Sequence, residues 1–422
     1  LNRNRCAEDS RSFNKKNRTP KSFLKQYAPK PFNVTRTVPK LDQGENAPAS
    51  LADPKSTEKT VSIVAPRFWH GMRFTTYMRL LRDGRFRVDF LGLGMCIAIF
   101  FYSLVNSVFS LIQRLFWGRA IAQTKIQPAP VFVIGHWRSG TTMVHELLGM
   151  DENLAAPTTY ECFAANHFLV SEWLIKPIIG LTMPKTRPMD NMRSGVDRPQ
   201  EDEFAICTLG APSPYISLAF PNQARRFREL IDMKGVEDSV IERFSEKLKH
   251  FCRALMFRHK RRLLLKSPTH TGRVAFLRKL FPGAKFIHVT RDPKNVIPST
   301  IRLWKSLERT NGFQIPEINE PDLRRYVLET YRQMYDAFEE QTADNTDDVS
   351  TIRYEDLVRD PVEYLKRCYQ ELDLPGFESM ESKIRNYFEN TKDYQKNQHH
   401  LDEELIAGID EYCGDYREKF GY

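Results

Sequence analysis

The sequence predicts an α/β fold, a mostly parallel sheet flanked by helices, with an N-terminal helical extension. Two observations carry that expectation. From Pro130 onward, short apolar runs alternate with stretches of helical period, the texture of strands joined by helical crossovers. The first of these runs feeds a glycine-bounded loop that opens straight into a helix, a junction suited to holding an anion. At 422 residues, 41% hydrophobic and 27% charged, the chain is long enough for one large α/β domain with appendages.

Residues 1–60 are rich in Asn, Lys, Pro, Ser and Thr and lack a sustained apolar period, so they read as a disordered basic tail. Residues 61–127 read as a helical region and 128–422 as the main domain. No secretory signal is expected, because no apolar run follows the first basic residues. Segment 90–113 contains no charged residue and is flanked by Arg79, Arg82, Arg85 and Arg87 before it and Arg114 after it. A bilayer can be crossed by roughly 20 apolar residues. Yet Ser103, Asn106, Ser107, Ser110, Gln113 and Arg114 recur at helical spacing and draw a polar stripe. The stripe favours a helix lying on a membrane, and leaves a single-pass helix and a packed core helix open as alternatives.

Within the main domain, residues 131–134 form the first expected strand, and Thr141 to Gly149 the helix after it. Residues 263–265, 286–289 and 350–353 are the further strands. Helices are expected around Arg273 to Leu280 and over Asp322 to Gln341. No internal repeat is visible.

The net charge is +10, but the first 89 residues carry +11 and the remainder −1. A nucleic-acid enzyme would spread its basic residues over the folded body, so no nucleic-acid partner is expected. A basic excess just ahead of an apolar segment points to anionic lipid or to a solvated tail. Seven cysteines stand singly, with no CxxC pair, which argues against a zinc site and a disulfide framework. A reducing, cytoplasmic setting with membrane association is the simplest expectation.

The chemistry is concentrated in residues 131–142, VFVIGHWRSGTT. Gly135 and Gly140 have the G-x-x-x-x-G spacing of a P-loop, but Thr141 stands where a nucleotide triphosphatase needs lysine. The cation sits inside the loop instead, as Arg138. Backbone N–H groups, Arg138, Ser139, Gly140, Thr141 and Thr142 can cradle a phosphate-sulfate without the lysine that a magnesium-bound triphosphate requires.

This loop is similar to the R-S-G-T-T element of the sulfotransferase family, particularly its bacterial-type branch and the tyrosylprotein sulfotransferases. Two more segments, 263–268 (LLLKSP) and 289–299 (VTRDPKNVIPS), extend the resemblance from about Pro130 to about Pro361. It implies a P-loop-like catalytic domain over 128–422. The expected co-substrate is 3′-phosphoadenosine 5′-phosphosulfate (PAPS), and no metal is called for. Arg291 and Ser299 have the spacing of the family's ligands for the 3′-phosphate, a fork-shaped donor followed by a hydroxyl. Lys266 matches a lysine that would stabilise charge on the transferring group, although Ser267 replaces the family's aspartate. Tyr354 matches a segment near the nucleotide. Glu161 matches the glutamate that serves as base in tyrosylprotein sulfotransferases, with His136, His145 and His270 as competitors. His145, inside a helix, reads better as a core residue.

Acceptor recognition is expected between Phe163 and Tyr215, which include Asn166, His167, Trp173 and the acidic run Glu201 to Glu203. That run reads as a solvated helix start. Small molecule, carbohydrate, lipid and peptide acceptors all stay open. The other functional classes are a P-loop kinase or nucleotidase and an inactive membrane-associated nucleotide-binding protein.

Overall fold

The computed structural model describes residues 67–183, 194–390 and 401–422, all within one compact unit, Lys59–Tyr422. The expected tail over 1–60 lies outside the described residues. The fold is built on five parallel strands: β1 (Val131–Ile134), β2 (Leu154–Ala155), β3 (Arg262–Lys266), β4 (Lys285–Thr290) and β5 (Val349–Arg353), in the order β2-β3-β1-β4-β5. Four strands stand where the apolar runs indicated. The fifth, β2, is two residues on the sheet edge, between the helix over Thr141–Leu148 and Glu161.

The central strands are apolar throughout because both faces of the sheet are covered. Their side chains alternate between two cores. Phe132, Ile134, Leu263, Leu265 and Phe286 enter one; Val131, Val133, Leu264, Ile287 and Val289 enter the other. The first core continues through Phe68, Trp69, Met72 and Tyr77, so the N-terminal helical region packs directly onto the main domain.

Fourteen α-helices are described. The first two, α1 (Phe74–Asp83) and α2 (Phe90–Gln123), precede the sheet. Then come α3 (Thr141–Leu148), α4 (Thr159–Phe163), α5 (Phe168–Thr182), α6 (Asp202–Thr208) and α7 (Asp238–His259). After β3 follow α8 (Val274–Leu280), α9 (Pro293–Asn311) and α10 (Glu320–Thr342). The last four are α11 (Tyr354–Arg359), α12 (Pro361–Glu371), α13 (Glu381–Glu389) and α14 (Glu403–Phe420).

Helix α2 resolves the polar stripe. Ser103, Asn106 and Gln113 are buried, with Met95, Ile99 and Ile121 continuing the same face. The Asn106 amide donates to the carbonyls of His70 and Met72, and Gln113 donates to the Asn166 carbonyl and accepts from Leu169 N–H. The polar stripe, apart from the exposed Arg114 at its end, is therefore the side that docks on the protein. The outward side is apolar: Phe101, Leu104, Val108, Leu111, Leu115 and Phe116 are exposed. Helix α5, which packs beside α2, adds exposed Trp173, Ile178 and Leu181.

Candidate active site

The loop between β1 and α3 has an unusual backbone. Gly135 and Gly140 take φ of +139° and +105°, and Arg138 between them takes +70°. Positive φ is nearly free for glycine and costs an arginine about 1–2 kcal/mol. That strain is held by local bonds: Ser139 N–H and Oγ both donate to the His136 carbonyl, and Gly135 N–H donates to Thr271 Oγ1 at 2.7 Å. At Gly135 a Cβ would stand 2.3 Å from the Val289 carbonyl oxygen, and at Gly140 one would stand 2.3 Å from Tyr354. Turning the chain this tightly aims the N-terminus of α3, with Thr141 and Thr142, at the loop's mouth, where the helix dipole favours an anion.

Three further elements converge on the loop. Arg291 follows the end of β4, and its Nη1 donates to the Arg138 carbonyl at 3.1 Å. Its guanidinium lies 4.4 Å from the ring centroid of Tyr354, at the start of α11. Ser299, on α9, accepts from Arg138 Nε at 2.9 Å. Arg138, Arg291, Ser299 and Tyr354 thus meet although they come from four different segments. Arg291 Nε is buried without a hydrogen-bond partner, and a buried donor of this kind calls for an acceptor. A phosphate bridging Arg291 and Ser299 would supply it, so these residues fit the nucleotide end of PAPS.

Lys266 closes β3 on the other side of the loop. Its Nζ donates to Thr142 Oγ1 at 3.4 Å and to Glu201 Oε1 at 2.8 Å. Glu201 Oε2 accepts from Tyr215 OH at 2.8 Å, and that hydroxyl accepts from Trp137 Nε1 at 2.7 Å. Trp137 belongs to the anion loop, so one chain of bonds ties the loop to the lysine and its carboxylate. Burial and the neighbouring Glu201 charge hold the Tyr215 phenol protonated well above its usual range.

The acidic run is not a solvated helix start. Its three carboxylates each take a basic side chain from the end of β3 or the segment after it: Glu201 takes Lys266, Asp202 takes His270 at 2.6 Å, and Glu203 takes Arg273 at 2.8 Å. The last two pairs are fully buried. Burial alone would raise both Asp202 and Glu203, but the charges of His270 and Arg273 pull them below the ordinary carboxylate range. No local signal marks this pairing: the acids are consecutive, whereas Lys266, His270 and Arg273 are spaced along a different part of the chain.

Glu161 sits at the third position of α4, where it closes a capping box. One carboxylate oxygen accepts from Thr158 N–H at 2.8 Å and the other from His259 Nε2 at 2.7 Å. Burial opposes its charge, yet His259 and the cap hold its pKa below the usual value. Its hydrogen bonds therefore go to Thr158 and His259, whereas the carboxylate bonded to Lys266 is Glu201. Both carboxylates and Lys266 lie within electrostatic reach of the Cys162 thiol, which burial and the surrounding acids raise.

The competing histidines are all buried: burial pulls His136 and His145 down to about 3, and His270 Nε2 is bonded to Asp202. In the acceptor segment, Asn166 is spent on the carbonyls of Gly71 and Thr208, and His167 on Ser171.

The arrangement can bind an anion at a helix terminus, offer a second anion the Arg291 guanidinium, and hold a lysine–carboxylate pair beside the loop. Residues 130–379 match the sulfotransferase family. The chain is 40% identical over 360 residues to the omega-hydroxy-beta-dihydromenaquinone-9 sulfotransferases Stf3 of Mycobacterium bovis and Mycobacterium tuberculosis, covering 85% of this chain and 92% of each relative. The crystal structure of sulfotransferase STF9 from Mycobacterium avium shares the fold with a TM-score of 0.59 at 16% identity, over 83% of this chain and 96% of that one. Sulfotransferase STF1 of Mycobacterium tuberculosis does so at 0.57 and 15%, over 84% and 94%. A loop without the triphosphatase lysine, a matched family over more than half the chain and a shared fold lead to one conclusion: this chain belongs to the sulfotransferase family.

Proposed function

We propose that this sulfotransferase moves a sulfuryl group from PAPS to the hydroxyl of a membrane-resident lipid alcohol, working at the cytoplasmic face of a bilayer. The observation that carries the lipid reading is the inverted helix α2, whose polar side docks inward and whose apolar side, extended by α5, faces out. An exposed apolar surface of this extent marks an interaction site. A hydroxylated menaquinone, the acceptor in the relatives' names, is a lipid alcohol of the same class. Free cysteines at all six described positions suit the reducing side of the membrane.

In this reading Arg291, Ser299 and Tyr354 hold the nucleotide end of the donor. The loop N–H groups, Ser139, Thr141 and Thr142 hold the phosphate-sulfate. PAPS supplies the sulfuryl group: the acceptor oxygen bonds to sulfur as the bridging S–O bond breaks, and that electron pair leaves with adenosine 3′,5′-bisphosphate. Arg138 and Lys266 neutralise the charge that grows on the sulfuryl and leaving oxygens. The acceptor's proton passes to a carboxylate.

Glu161 is the first reading for that carboxylate. Glu201 is a second, favoured by its contact at 2.8 Å with Lys266, the residue assigned above to the transferring group, while both Glu161 oxygens are engaged by His259 and Thr158. Calorimetry with adenosine 3′,5′-bisphosphate and with magnesium-ATP tests the donor assignment. Bisphosphate binding that is lost in Arg291→Ala supports it. Binding of magnesium-ATP alone would overturn it in favour of a phosphoryl-transfer enzyme.

A further inference from the structure

Beside α2 lies a cluster of basic side chains that the reaction does not use. Arg73 precedes α1 and Arg79 lies on it; Arg114 is on α2; Arg243 and Lys247 stand one turn apart on α7. Helices α1 and α7 both pack on α2. Phe74 N–H donates to Ser107 Oγ of α2, which pins Arg73 next to the docked stripe, and Arg114 lies two turns further along the same side.

The cations act on one another. Arg73 feels Arg79 and Arg114, Arg243 feels Arg79, and Lys247 feels Arg73, Arg79 and Arg243. Partial burial and this mutual repulsion lower the pKa of Arg73, Arg243 and Lys247. The acids that reach the cluster are Asp83, which is shared with Arg82 and Arg226, and Glu246 on α7. Arg243 donates to the Gly210 carbonyl. Arg73 Nε is buried with no hydrogen-bond partner. Like charges gathered at a half-buried place, with an orphaned donor among them, are costly until an anion joins them.

The geometry points to a binding site for the phosphate headgroup of an anionic membrane lipid, formed by Arg73, Arg79, Arg114, Arg243 and Lys247 at the edge of the apolar face of α2. The inference rests on the membrane reading proposed above and adds to it a charge requirement. The occupant is a lipid rather than a soluble phosphate because Arg114 of the cluster is followed directly on α2 by the exposed apolar residues Leu115 and Phe116, which would enter the acyl region when the cluster meets the headgroups. Docked this way, the protein has a fixed rotation on the bilayer, not merely an affinity for it.

The test uses the full chain and vesicles of phosphatidylcholine, with and without phosphatidylglycerol. Each cation near an anionic surface contributes about fivefold. The variant Arg73→Gln/Arg79→Gln/Lys247→Gln should therefore partition on the order of a hundredfold more weakly onto the anionic vesicles. Its binding to phosphatidylcholine alone, and its affinity for adenosine 3′,5′-bisphosphate, should stay at parental values, the latter showing that it folds. Parental binding of this variant to anionic vesicles would overturn the proposal. A second variant, Phe101→Ser/Leu115→Ser/Phe116→Ser, separates the two ideas. If it still binds both kinds of vesicle fully, the membrane face itself is wrong. If it loses both while the charge variant loses only the anionic kind, the lipid-phosphate site stands.

Discussion

Replacing Lys266 by methionine keeps the length of the side chain and removes the charge. The lysine and Glu201 are largely shielded, with side-chain exposures of 3% and 13%. Two effects follow, and they can be separated. The first is on stability: removing one partner of a buried pair costs about 3–5 kcal/mol. Here the lower end applies, because Glu201 keeps the Tyr215 hydroxyl and is partly exposed. Against a usual reserve of about 5–15 kcal/mol the protein stays folded. The second is on the reaction: losing a preorganised donor to the developing charge costs roughly a hundredfold to a thousandfold in turnover. Single-turnover transfer from radiolabelled PAPS measures the second, and thermal unfolding the first. The double variant Lys266→Met/Glu201→Gln removes the unpaired carboxylate, so it should regain most of the stability and none of the turnover. Near-parental single-turnover rates in Lys266→Met, with donor affinity intact, would refute the assignment of this lysine to the sulfuryl group.

Gly140→Ala forces a side chain into a φ of +105° and sets its Cβ 2.3 Å from Tyr354; donor binding should fall at least tenfold, by calorimetry, as the Tyr354–Arg291 stack is pushed apart. Arg273→Leu leaves Glu203 buried without its cation and should cost on the order of 3–5 kcal/mol in denaturant unfolding; an unchanged midpoint would contradict the account of the acidic run. Burial pulls His136, His145 and His288 to about 3, below the unfolded value of about 6.5. The unfolded chain then binds more protons between those limits, so this stability is whole above about pH 6.5 and is lost as pH falls toward 3, by on the order of 2 kcal/mol per imidazole at pH 5. Unfolding temperatures at neutral pH and at pH 5 should differ accordingly, and His145→Gln should reduce the difference. Glu161→Gln and Glu201→Gln distinguish the two carboxylates: the one that takes the proton is the one whose loss removes the acidic limb of the pH–rate profile.

The sheet was legible because its central strands are buried on both faces and so read as unbroken apolar runs. The anion loop was legible because glycine and positive φ go together at Gly135 and Gly140. What escaped was long-range. Nothing in a local window reveals that Glu201, Asp202 and Glu203 each meet a basic side chain some 65–70 residues later, and a run of acids is ordinarily solvated. Helix α2 was half legible. Its polar stripe was correctly located, but which side the stripe would face depended on the carbonyls of His70, Met72 and Asn166, which only the folded chain brings there.

The central claim is that a lipid alcohol is the acceptor. Its most direct test is transfer of radiolabelled sulfuryl from PAPS to a long-chain isoprenoid alcohol held in vesicles, run beside a short water-soluble alcohol. The account predicts label in the extracted lipid, abolished by Lys266→Met and strongly reduced when Phe101, Leu115 and Phe116 are made serine. Label that enters the soluble alcohol while the vesicle lipid stays unlabelled would contradict it.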